Sequence, residues 1–151
     1  MNNVAPDIGE STVALGIQLA TSAALVLVMV MIHAIGLLAI SRVLHLRGDE
    51  LKEKSLNARS VGLLGTMGLM LFALHIFEIF LFALFYLSVE GMQTLEEALF
   101  YSASSYATLG WTAEYFPPEW RLIGAFEALV GFLLIGWSTA FMVGTMNRLR
   151  G

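Results

Sequence analysis

Three long apolar stretches, separated by polar segments, dominate the pattern of residues along this chain. They run from about Thr12 to Ile40, from Val61 to Ser88 and from Arg121 to Met146, with 29, 28 and 26 residues. A helix of about 20 apolar residues is enough to cross the hydrocarbon core of a bilayer. Each stretch is therefore predicted to be a transmembrane helix, long enough to tilt or to extend into the headgroups.

A shorter segment of mixed character lies between the second and third apolar stretches. It opens with Thr94-Leu95-Glu96-Glu97, which has the form of a capping box. In a capping box the hydroxyl accepts from the backbone N–H three residues on, and the glutamate reaches back. This predicts a helix from about Leu95 to Tyr106, roughly 18 Å long at about 1.5 Å per residue. A helix of that length reaches only part of the way across a membrane.

The predicted short helix is followed by a strip that reads Ala107-Thr108-Leu109-Gly110-Trp111-Thr112, and the chain then turns through Pro117-Pro118. A short helix, an extended strip and a return are the layout of a re-entrant loop. Non-helical backbone at membrane depth must be buried in protein or must line water. The alternative, a plain outer loop with a glycine turn, stays open.

Composition supports a membrane protein and excludes several kinds of chemistry. Of the 151 residues, 58% are hydrophobic and 13% are charged, whereas soluble domains carry about 25% charged residues. The absence of cysteine excludes disulfides, thiolate metal sites and cysteine nucleophiles. We find no catalytic constellation and no sign of a nucleic-acid partner, so the chain is predicted not to be an enzyme. The first apolar run is too long for a signal peptide and is predicted to be retained.

Charge placement predicts the orientation of the three helices. Seven of the eight basic residues lie between the first two apolar stretches or after the third, and Arg121 alone lies elsewhere. Because basic residues accumulate on the cytoplasmic side, the 41–60 loop and the C-terminus are predicted to be cytoplasmic. The N-terminus and residues 89–120 are then outside, in a multi-pass protein of the plasma membrane.

Two histidines and a glutamate lie inside the first two apolar stretches: His33 in the first, and His75 and Glu78 in the second. A pair of membrane histidines suggests a b-type haem. Counted from the outer ends of the stretches, however, His33 is eight residues deeper than His75, an offset of about 12 Å. That offset argues against two ligands of one haem. We expect hydrogen bonds between helices, and a proton-sensing role is an open alternative.

The strip and its surroundings resemble the pore domain of tetrameric potassium channels over residues 62–146. The resemblance is carried by Ala-Thr-Leu-Gly-Trp-Thr at 107–112, where that family has Thr-x-Gly-Tyr-Gly, and by the flanking helices and their sidedness. It implies that the hydroxyl and carbonyl of Thr108 and the carbonyls of Leu109, Gly110 and Trp111 contribute to a selectivity filter. The carbonyls of Thr108, Leu109 and Gly110 would hold a monovalent cation, potassium or sodium. No other cofactor is expected.

The strip also departs from the family pattern. Thr112 replaces the second filter glycine, Trp111 replaces tyrosine, and Ala113 and Glu114 follow in place of the usual aspartate. A β-branched residue in a left-handed conformation costs roughly 1–2 kcal/mol. The outer end of the filter is therefore expected to differ in shape, and potassium selectivity to be altered or reduced.

Further residues receive roles by the same resemblance. Support of the filter is assigned to four polar side chains around it, namely Glu127, Glu114, Ser104 and Ser105. Glu127 is expected to act as a protonated or hydrogen-bonded carboxyl behind the filter. Gly131 and Gly136 are candidate gating hinges in the last helix, and ordinary small-residue packing is the alternative for both.

The sequence thus predicts an all-α membrane protein with three transmembrane helices and a re-entrant pore helix and filter loop, assembling as a homotetramer in the lipid bilayer. Residues 1–60 form a peripheral helix and a cytoplasmic loop. Residues 61–151 form the pore domain, with an outer helix 61–88, a pore helix 94–106, a filter 108–112 and an inner helix 121–146. The expected function is passive cation conduction, and the alternative is a non-conducting scaffold or accessory subunit.

Overall fold

The computed structural model describes residues 8–44, 58–110 and 120–150, and this part of the chain is built of four helices. They are α1 (Ile8–Val43), α2 (Ala58–Ser88), α3 (Leu95–Tyr106) and α4 (Arg121–Arg150). Three of them, α1, α2 and α4, are long and apolar enough to cross a membrane. The prediction of three helices long enough to span a membrane, with one short helix, is therefore confirmed. Residues 45–57, most of the loop predicted to be cytoplasmic, lie outside the described residues.

The short helix α3 begins where the capping box predicts. The Glu97 backbone N–H donates to the Thr94 hydroxyl at 3.2 Å. The Glu97 carboxylate accepts from the N–H of Gln93 at 3.3 Å, one residue before the expected partner. These bonds satisfy backbone donors that the first helical turn would otherwise leave free.

Helix α3 packs between α2 and α4 over its whole length. Two glycines of α4 provide the space: a Cβ on Gly124 would lie 2.4 Å from the Tyr101 hydroxyl, and one on Gly131 would lie 2.4 Å from the Tyr106 carbonyl oxygen. The C-terminal end of α3 thus lies beside Gly131, ten residues along α4. That distance along a helix is about 15 Å.

The apolar core has two parts. The larger surrounds α3 and draws on all four helices, and the smaller joins the three long helices nearer the ends at Val43 and Arg150. The buried side chains of the smaller part are Leu37, Ile40, Met67, Leu71 and Leu149. Large apolar side chains on the outer faces of the long helices are exposed, among them Leu27, Leu69 and Phe132 at 66%, 70% and 72%. Such surfaces suit a lipid environment and are those of a multi-pass membrane protein.

Candidate functional site

The strip after α3 starts with a left-handed turn. The Thr108 N–H donates to the Ser105 carbonyl at 2.8 Å, and the Leu109 N–H donates to the Ser104 carbonyl at 2.9 Å. This pair of bonds is a Schellman motif, which requires a left-handed residue just past the helix end. Thr108 takes that conformation with φ 59°, and Gly110 has φ 69°. Residues 107–110 are therefore non-helical as predicted, but they do not leave α3 as extended chain.

The described part of the strip is exposed. Thr108, Leu109 and Gly110 are all exposed, and Leu109 is 76% exposed. The residues whose carbonyl groups are assigned to a cation are thus exposed in a single chain. Trp111, Thr112 and Glu114 lie outside the described residues.

Thr108 has a strained backbone conformation at the end of α3. A β-branched residue with positive φ is a conformational outlier, and glycine is the usual residue at this position of a Schellman motif. Thr108→Gly is therefore expected to raise the free energy of unfolding by about 1 kcal/mol. Thermal unfolding in detergent measures the change. Gly110→Ala, at the other positive φ, should shift stability in the opposite direction, and a fall with Thr108→Gly would show that the hydroxyl outweighs the strain.

Glu127 of α4 links α2, α3 and α4 near the second half of α3. Its carboxyl group is fully buried; the Tyr86 hydroxyl of α2 donates to Oε2, and the Ser102 hydroxyl of α3 lies 2.5 Å from Oε1. Ser102 also lies 2.9 Å from the Ile79 carbonyl of α2. The single Ser102 proton thus has two acceptors. A carboxylic acid at Glu127, donating to Ser102, would satisfy every atom of this group.

Ser104 and Ser105 are buried in α3. Their backbone carbonyls accept from the N–H groups of Leu109 and Thr108. Their role in a filter stays a prediction.

A second polar cluster lies at the C-terminal end of α3 and draws one or two side chains from each helix. We call it the central cluster, and its members are His33 of α1, His75 and Glu78 of α2, Tyr106 of α3 and Ser138 of α4. All but His75 are buried, and the His75 side chain is 16% exposed. The expectation of hydrogen bonds between helices is confirmed here.

The Glu78 carboxylate forms one side of the central cluster. Its Oε1 lies 2.9 Å from His33 Nδ1, and its Oε2 accepts from the Tyr106 hydroxyl at 2.6 Å. His75 Nδ1 lies 2.8 Å from the same hydroxyl and 3.3 Å from Oε2. On the opposite side, Ser138 Oγ lies 3.1 Å from His75 Nε2 and 3.3 Å from His33 Nε2. The five side chains therefore close a ring.

The predicted depth offset between the two histidines is wrong, because their ring centroids lie 5.3 Å apart. The count assumed that the outer ends of the apolar stretches are level. In fact the Leu122 N–H donates to the Gln18 side chain at 3.3 Å, so position 18 of α1 is level with the start of α4. The N-terminal end of α1 therefore extends beyond the start of α4, and His33 reaches the level of Ser138.

The sequence predicts Tyr106 only as the last residue of the short helix and Ser138 only as part of an apolar helix. The structure adds both to the polar partners of the histidines. A signal existed for Ser138, since it lies 16 residues past Leu122 while His33 lies 15 past Gln18. This spacing identifies Ser138 as a partner of His33 only if the contact between Gln18 and Leu122 is already known.

The two hinge candidates have different surroundings. Helix α4 runs without a break from Arg121 to Arg150. Gly131 is buried against the backbone of Tyr106, whereas Gly136 is exposed and a methyl group added there would meet no atom within 4 Å. Close packing against α3 thus explains glycine at 131, and bending at either position stays a prediction.

Comparison of this chain with protein families, with curated proteins and with solved structures finds no match.

Proposed function

We propose that this chain is the subunit of a passive cation channel, with potassium the leading permeant ion. The observation that carries the proposal is the exposed strip at 108–110, which follows a capped half-length helix packed between two spanning helices. In this proposal α3 and the strip form the re-entrant pore loop. The N-terminus lies outside and the C-terminus in the cytoplasm of a plasma-membrane protein.

Electrostatics support this role for α3. Glu96 and Glu97 lie in its first turn, where acidic side chains stabilise the positive end of the helix dipole. The opposite end, which carries partial negative charge, is followed directly by Thr108, Leu109 and Gly110. A cation held by their carbonyls would be stabilised by that end of the helix.

A single chain cannot enclose a pore with one strip, so the proposed unit is a homotetramer. Exposed backbone at the level of Gly131 is tolerated in a membrane only if protein covers it or water contacts it. Further copies of the chain supply both conditions, since four strips would surround a wet axis. The exposed apolar residues near the strip, including Phe100 at 55% and Leu129 at 67%, would then contact neighbouring subunits.

Ion flux through purified protein in liposomes tests the proposal. An imposed potassium or sodium gradient should drive cation uptake, while a large organic cation should stay outside. Gly110→Ala, which strains a backbone of φ 69°, should abolish the flux. Gly65→Ala is a matched control, because a methyl group there meets nothing within 4 Å.

Absence of flux for both ions at several pH values would contradict the channel proposal. The chain would then be better described as a non-conducting scaffold or accessory subunit. Cross-linking in mild detergent adds an independent measurement. A dimer or monomer as the largest species would contradict a central pore.

Restoring the missing filter glycine should sharpen selectivity. Because threonine at 112 disfavours left-handed backbone, Thr112→Gly is expected to raise the permeability of potassium relative to sodium. Reversal potentials under mixed ionic conditions give this ratio. An unchanged ratio would show that Thr112 does not limit selectivity.

A further inference from the structure

We propose that the central cluster is a binding site for a divalent transition-metal ion of the zinc class, which joins α1, α2 and α3 within the membrane. His33, His75 and Glu78 each offer one ligand atom, and these atoms all lie within 4.8 Å of one another. Two imidazoles and a carboxylate are a ligand set that suits zinc and its first-row neighbours.

The geometry of the Nδ1 side is close to what a tetrahedral ion needs. Ligand bonds of about 2.0–2.1 Å place neighbouring ligand atoms about 3.3 Å apart. Oε1 of Glu78 lies 2.9 Å from His33 Nδ1, and Oε2 lies 3.3 Å from His75 Nδ1. The Tyr106 hydroxyl oxygen, 2.6 Å from Glu78 Oε2 and 2.8 Å from His75 Nδ1, is positioned as a fourth ligand.

Ser138 supplies the outer support that metal-bound histidines require. A ligating imidazole donates its second ring N–H to a nearby oxygen, which fixes the orientation of the ring. When both rings ligate through Nδ1, both carry their proton on Nε2 and both donate to Ser138 Oγ, at 3.1 and 3.3 Å. A hydroxyl oxygen has two lone pairs and can accept both.

Without an ion, the five side chains of the central cluster have too few protons to make every hydrogen bond between them. If each Nδ1 donates toward the Glu78 side, both Nε2 atoms are acceptors, and the one Ser138 hydroxyl proton serves only one of them. Binding of a metal ion resolves this mismatch. The partly exposed edge of His75 gives an ion access to the site from the surface of the chain.

Metal binding to the purified chain tests this proposal and does not depend on conduction. The protein is purified without a polyhistidine tag, washed with chelator and dialysed against Zn²⁺, with Mg²⁺ as the comparison ion. We expect one zinc ion per chain, no uptake of Mg²⁺ and a higher melting temperature with zinc. Co²⁺ should give the intense visible absorption of a four-coordinate site.

Variants locate the site. His33→Gln and Glu78→Gln should each weaken zinc binding by more than about 100-fold, and Ser138→Ala should weaken it by about 10- to 100-fold while keeping all ligands. His45→Gln is the control, since it removes the remaining histidine outside the central cluster. Helicity measured without metal identifies variants that fail to fold, and the wild-type measurement stands regardless of them.

Three results would overturn the proposal. The first is that the wild-type chain binds no stoichiometric zinc. This holds even if the central cluster responds to pH. The second is unchanged affinity in folded His33→Gln and Glu78→Gln variants. The third is loss of binding in His45→Gln.

Discussion

Glu127→Ala is expected to lower the free energy of unfolding by about 3 kcal/mol and to loosen the second half of α3. The substitution removes the carboxyl partner of the buried Tyr86 hydroxyl, while the Ser102 hydroxyl keeps its bond to the Ile79 carbonyl. Loss of a buried hydrogen-bond partner costs about 1–3 kcal/mol. It also leaves a cavity where α2, α3 and α4 meet, which adds to the loss. Thermal or denaturant unfolding in detergent measures the change.

Glu127→Gln is the matched control and distinguishes two forms of the buried carboxyl. A glutamine can accept from Tyr86 and donate to Ser102, as a protonated glutamic acid would. If the wild-type group is the acid, Glu127→Gln should change stability by less than about 1 kcal/mol. A loss as large as that of Glu127→Ala would show that the ionised form is the one the fold requires.

Gly131→Ala is expected to cost about 2 kcal/mol and, if the proposed channel is correct, to abolish cation flux. Its added methyl group would lie 2.4 Å from the carbonyl oxygen of Tyr106 and 3.0 Å from the carbonyl carbon. Backbone atoms cannot rotate aside as a side chain can, so the end of α3 must move. Overpacking of this kind costs about 1–3 kcal/mol, and here it displaces the residues that lead into Thr108.

Gly136→Ala controls for the general effect of adding a methyl group to α4. Nothing lies within 4 Å of that position, so stability should stay the same or rise by up to about 1 kcal/mol, because alanine favours helix. Folding and flux are measured in the same preparations. A Gly136→Ala variant that lost flux while Gly131→Ala kept it would favour a hinge at 136 over packing at 131.

Local patterns predicted most of the fold. The spanning helices follow from apolar length, and the start of α3 follows from Thr94 and Glu97, whose interaction spans only three residues. Its end at Tyr106 also agrees with the prediction, since the turn beyond it uses bonds between neighbours along the chain. Information of this kind is contained in short stretches of sequence.

The central cluster could not be predicted in the same way, because it depends on how far each helix slides along its neighbours. The sequence of a helix does not give its axial position relative to its neighbours. A particular contact fixes that position, as the one between Gln18 and Leu122 does here. Counting from the ends of apolar stretches placed His33 too deep by about two turns. The hydrogen bonds of Ser138 could not be predicted for the same reason, because its partners come from two other helices.

The contacts that join α1 to α4 also bear on how the chain is made. His33 and Ser138 are separated by 105 positions, and Gln18 and Leu122 by 104. During synthesis α1 therefore enters the membrane carrying polar side chains whose partners have not yet been translated. Glu78 of α2 can pair with His33 Nδ1 earlier, but the contacts to Ser138 and Leu122 form only once α4 is inserted. Assembly of this fold therefore requires α4 to join α1 after α2 and α3 are in place.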